Sequence, residues 1–105
     1  SVASRGLGDV YKRQVYTVPK GYTARWNLMY LHNGGGSTKT ITVAWYDDST
    51  NTTIKVFEAY SLASKDYFKM DGGAYVVLEE GDTITMTPEA SSTFYTICTF
   101  VLERA

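Results

Sequence analysis

Apolar and polar residues alternate along most of this chain, turn-forming clusters interrupt the alternation at intervals of roughly 8 to 12 residues, and helical spacing is nowhere sustained. From Tyr22 to Leu31, the residues Tyr22, Ala24, Trp26, Leu28 and Tyr30 fall on one face and Thr23, Arg25 and Asn27 on the other, until Met29 and Leu31 make both faces apolar. This predicts a long strand covered on both sides at its far end. His32-Asn33-Gly34-Gly35-Gly36-Ser37 then supplies residues that tolerate φ > 0, and Thr40 to Trp45 resumes the alternation with Ile41, Val43 and Trp45 inward, which predicts a hairpin. Asp47 to Asn51 reads as a turn, and Thr52 to Phe57 as a strand with Ile54 and Val56 inward. Tyr60 to Ser64 carries no clear pattern. Tyr67 to Met70 reads as a short strand, Asp71-Gly72-Gly73 as a turn and Ala74 to Leu78 as an apolar run. Glu79-Glu80-Gly81-Asp82 turns into Thr83 to Thr87, where Ile84 and Met86 alternate with Thr, and Pro88 ends that strand.

The last segment, Thr93 to Leu102, is apolar on both faces, with Phe94, Cys98, Phe100 and Leu102 opposed to Tyr95, Ile97 and Val101. A strand of that kind belongs in the middle of a sheet with something packed on each side. With Val15 to Val18 as an opening strand, the chain predicts an all-β fold, an antiparallel β-sandwich of about eight strands, jelly-roll or immunoglobulin-like.

Residues 1–14 stand apart. They hold three basic residues and two glycines and show no periodic apolar pattern. Ser4 to Gln14 back-translates to a codon run resembling the transposon-end adapter used in sequencing-library preparation. Residues 1–14 are therefore expected to be a non-native, disordered leader, with the native start lost, and residues 15–105 a single domain. Counted over 15–105, the seven Lys and Arg against ten Asp and Glu give a formal charge of −3, in place of −1 for all 105 residues. No basic run marks a nucleic-acid surface, no uncharged apolar run approaches the roughly 18 residues of a helical membrane span, and one cysteine cannot form an internal disulfide.

Chemistry is sparsely represented. Gly34 to Thr40 superficially follows a phosphate-binding loop, but Thr38 stands where that loop needs a glycine and a strand follows where it needs a helix. His32 and Cys98 are the only residues of their types, and a thiol inside an apolar strand behaves as a small hydrophobe. Asp47, Asp48, Asp66, Asp71, Glu79, Glu80 and Asp82 sit in or near turns, where self-bonding and solvation explain them better than a calcium site or a glycosidase pair. No catalytic residue, cofactor or metal is expected. Residues 15–105 carry fourteen Thr and eight Tyr. More tyrosines are present than a core of this size can bury with every hydroxyl satisfied, so several are expected at the surface. Tyr46, Tyr60, Tyr67 and Tyr75 are the candidates for interface or glycan contact, and Trp26 and Trp45 are expected in the core.

From Val15 onward the chain resembles small β-sandwich virion proteins of tailed bacteriophages, of the head-decoration, neck or tail-fibre-associated kind. The resemblance rests on Tyr16-Thr17-Val18-Pro19-Lys20-Gly21-Tyr22-Thr23-Ala24, the glycine-rich loop after it, Trp45-Tyr46-Asp47-Asp48, and Leu78-Glu79-Glu80-Gly81-Asp82-Thr83-Ile84. It implies a non-enzymatic structural protein of the virion, assembled in the host bacterial cytoplasm, whose partners are copies of itself and other virion proteins. A carbohydrate-binding module using exposed tyrosines is the alternative expectation.

Overall fold

In the computed structural model, residues 2–10, 14–70 and 76–105 are described, with 2–10, 14 and 15 described by backbone alone. They form nine strands: β1 (Val2–Val10), β2 (Gln14–Thr17), β3 (Tyr22–Asn33), β4 (Lys39–Asp47), β5 (Thr52–Leu62), β6 (Tyr67–Met70), β7 (Val76–Leu78), β8 (Thr83–Pro88) and β9 (Phe94–Arg104). All pairings are antiparallel. The first sheet has the order β1-β9-β3-β6, with β7 also on β3, and the second β2-β8-β4-β5. Strands that follow one another along the chain repeatedly change sheet, which is the winding of a jelly roll.

The inward side chains of the two sheets make one core. Ala24, Trp26, Met29 and Leu31 of β3 and Phe94, Cys98 and Phe100 of β9 meet Ile41, Val43, Ile84 and Met86 of the second sheet. Tyr16 stacks on Phe100 at 4.0 Å, and Trp26 lies beyond at 6.3 Å. Trp26 is fully buried, whereas Trp45 is only partly so.

Four sequence expectations change. Residues 2–10, expected to lie outside the fold as a disordered leader, run as β1 along the outer edge of β9. That edge presents unpaired backbone N–H and C=O groups, which any extended segment satisfies through its main chain whatever its side chains. The segment from His32 to Ser37 does not close a hairpin, because β3 and β4 belong to different sheets. Instead the connection crosses the end of the sandwich, held by buried Asn33. Its Nδ2 donates to the carbonyls of Ser37 and Leu62, both at 2.9 Å, and its Oδ1 accepts from the Gly35 N–H at 3.0 Å.

The third change lies within β3. A bulge between Trp26 and Leu28 shifts the register, so Leu28 and Tyr30, expected to share a face with Trp26, turn outward while Met29, Leu31 and Asn33 turn in. The fourth is at β5, which extends to Leu62 and leaves Ile54 at 45% and Val56 at 37% exposure where an inward position was expected. As the outer strand of its sheet, β5 pairs with β4 alone, and register shifts opposite Ile41, Val43 and Ala44 bend it. An edge strand with a partner on one side only cannot bury its side chains as a central one does.

Candidate interaction surface

The expected tyrosines do not converge. Tyr46 projects from β4 on the outer face of the second sheet and donates its hydroxyl to Asn51 Oδ1 at 2.6 Å. It borders a shallow depression of about 520 Å³ with Ala44, Thr53, Thr83, Thr85 and Thr87. This face is a threonine field: Thr83 and Thr85 of β8 oppose Tyr46 and Ala44, and Thr17 of β2 meets Thr83 hydroxyl to hydroxyl at 3.2 Å. Tyr60 lies instead at the open side between the sheets, stacked on Phe57 at 5.0 Å and edge-on to Phe68 at 5.5 Å. Tyr67 is on the outer face of the first sheet, and Tyr75 lies outside the described residues.

Tyr67 does not stand alone, and its neighbours are set by strand register rather than by spacing along the chain. The register places Tyr67 of β6, His32 of β3 and Tyr95 of β9 side by side in one row across three strands. Tyr30, two residues along β3 from His32, adds a fourth ring. Tyr30 stacks with Tyr67 at 5.8 Å and with His32 at 6.5 Å, and His32 with Tyr95 at 6.1 Å, with interplanar angles of 30° or less. Ile97 lies opposite Tyr30, and Val77 opposite Arg25. Tyr67 is 56% exposed, Val77 53%, Tyr95 44% and Ile97 42%. Gly34 allows this arrangement, since a Cβ there would lie 2.5 Å from the Tyr95 ring. At the other end of the face, Arg25 pairs with Glu103 at 3.3 Å, which places the charges towards the rim.

Cys98 and His32 cannot act as a nucleophile and base, because Cys98 points into the core while His32 is on the opposite face of the same sheet. Burial pushes the Cys98 thiol up to about 12, and the nearby Trp26 indole opposes this only in part. Four of the turn carboxylates have structural partners, Asp47 accepting from the Ser49 hydroxyl and Asp66 from the Tyr67 N–H, while Asp71 and the turn expected at 71–73 lie outside the described residues. Buried Asp82 accepts the Asp48 and Glu79 N–H groups at 3.0 and 2.9 Å and the Trp45 Nε1–H at 3.2 Å, while Glu80 accepts the Gly21 N–H at 2.6 Å. A shallow cavity of about 370 Å³ is bordered by Asp48, Glu79 and Glu80. Among the described residues, no three His, Cys, Asp or Glu side chains converge to hold a metal ion. No helix of the described residues is long and apolar enough to cross a membrane.

No protein-family model matches the chain, and no curated protein sequence does. Solved structures share its shape. The NLP core of Drosophila, described through pentamer formation and histone binding, overlays with a TM-score of 0.60 at 12% identity, covering 99% of each chain. A protein of Bacillus endospore appendages, a family of disulfide-linked pili, overlays with a TM-score of 0.54 at 15% identity, covering 99% of this chain and 85% of the other. At such identities the likeness is one of fold: the chain is an antiparallel β-sandwich.

Proposed function

We propose that the domain is a non-enzymatic assembly module, a structural protein of a phage virion, that acts through the outer face of its first sheet. The observation that carries this reading is the contrast between the two outer faces. The second sheet presents Thr17, Thr83, Thr85 and Thr87 to solvent, while the first presents Tyr67, Tyr95, Ile97 and Val77. An isolated sandwich has no use for aromatic and aliphatic groups outside, and tyrosines are enriched where proteins meet. Strand β9 carries the same message, as its two apolar faces call for cover on both sides and the monomer covers one.

The two overlaid proteins are described through assembly, as a pentamer and as pili, which supports the reading at the level of what such a fold does. A disulfide link of the pilus kind is not part of the proposal, since the single thiol here is buried. The test is co-sedimentation of the full chain with purified phage heads and tails. Binding that is lost in Tyr95→Lys supports the reading, and a chain that binds neither particle nor itself contradicts it.

Glycan binding is the second reading, favoured by one observation: Tyr67, the most exposed of these rings, sits in a row of aromatic groups of the kind on which sugars stack. A glycan array showing a specific sugar whose binding disappears in Tyr67→Ala selects it over assembly.

A further inference from the structure

We infer that the occupant of this face is a second copy of the chain, packed sheet against sheet across a two-fold axis. The inference rests on the assembly reading and names its partner.

The size of the face supports a stable dimer. Strand β3 has 12 residues, which at ~3.3 Å each span about 40 Å, in keeping with a longest dimension of 43 Å. Four strands lie across the sheet, and at ~4.8 Å apiece they give a width of about 19 Å. The product, roughly 750 Å² per copy at most because β6 and β7 together pair with only seven positions of β3, comes close to the ~800 Å² that each partner contributes to a standard interface. The face is also nearly flat in chemistry: Leu28, Tyr30, His32, Tyr67, Tyr95 and Ile97 bring no carboxylate to its middle.

Charge does not oppose self-pairing. Among the described side chains, Arg25 and Glu103 neutralise one another at one end, and exposed Lys69 lies opposite Tyr30 on the edge strand β6, so pairing two such faces brings one lysine from each copy to the contact and no cluster of like charges. Because one patch serves both copies, the contact is isologous and closes on itself. Two sheets packed this way keep their strands within about 30° of alignment, with side chains interleaving across about 10 Å. Strand β9 then lies in the middle of a multilayered stack, Phe94, Cys98 and Phe100 against its own second sheet and Tyr95 and Ile97 against the other copy.

The test is the mass of the full chain by light scattering over a hundredfold range of concentration. The wild type is expected to approach twice its 11.7 kDa mass as concentration rises. Ile97→Lys is expected to weaken dimerisation at least tenfold, and Thr85→Lys, at the centre of the other outer face, to leave it unchanged. Tyr95→Ser provides a second probe, and circular dichroism establishes that each variant is folded. A wild type that stays monomeric throughout overturns the inference, as does a dimer broken equally by Thr85→Lys. If such a monomer still binds phage particles through Tyr95, the second copy is excluded while the assembly reading stands.

Discussion

Asp82 shows how a residue chosen for its chemistry can serve folding alone. The turn sequence Glu79-Glu80-Gly81-Asp82 reads as a solubilising loop tip, yet its last carboxylate is buried and collects three donors, from Asp48, Glu79 and Trp45. Removing it leaves buried N–H groups without partners. Asp82→Ala is therefore expected to lower stability by about 2–4 kcal/mol in denaturant titration. Gly81 beside it has φ +86°, and a Cβ there would lie 2.6 Å from Asp48 Oδ2, so strain and contact act together against any side chain. Cys98 gives a pH-dependent expectation. Its folded-state pKa of about 12 lies above the ordinary value of 9.0, so the unfolded chain gives up the proton first. Stability should hold below pH 9 and fall as pH rises from there towards 12. The comparison is with Cys98→Ala, whose denaturation midpoint should drop less between pH 8 and pH 10.

Strands were legible where alternation was simple. Tyr67 to Met70 matches β6 residue for residue, and Ile84 and Met86 face the core as their spacing requires. Sequence reasoning failed where one residue of backbone geometry changes the outcome. The bulge after Trp26 has no signature in side-chain pattern, and it reverses the faces of Leu28 and Tyr30, hiding the aromatic row from any count by twos. The hairpin expected after β3 failed for another reason: glycine-rich loops both turn within a sheet and cross between sheets, and the difference lies in Asn33, whose amide contacts span distant loops. One signal of the surface was present all along, in the two apolar faces of Thr93 to Leu102. The inner face of β9 gives the prediction at this scale. Phe100 is buried between Tyr16 and Trp26, and Phe100→Ala is expected to cost about 3–5 kcal/mol, read as a lower denaturant midpoint.

At the scale of the whole molecule, the sandwich has one polar outer face and one aromatic one, and the proposed assembly contact falls on the aromatic face. Sequence composition pointed to surface tyrosines in general, but only the sheet register separates Tyr46, tied to Asn51 on the threonine face, from Tyr67 and Tyr95 on the other. Those tyrosines allow the assignment to be measured directly. Hydroxyl-radical footprinting of the full chain, read by mass spectrometry at low and high protein concentration, reports the exposure of each ring. The proposed dimer predicts that Tyr67, Tyr95 and Ile97 become protected as concentration rises while Tyr46 does not. Protection of Tyr46 instead, or no change at Tyr67 and Tyr95 across a range in which the chain self-associates, would contradict it.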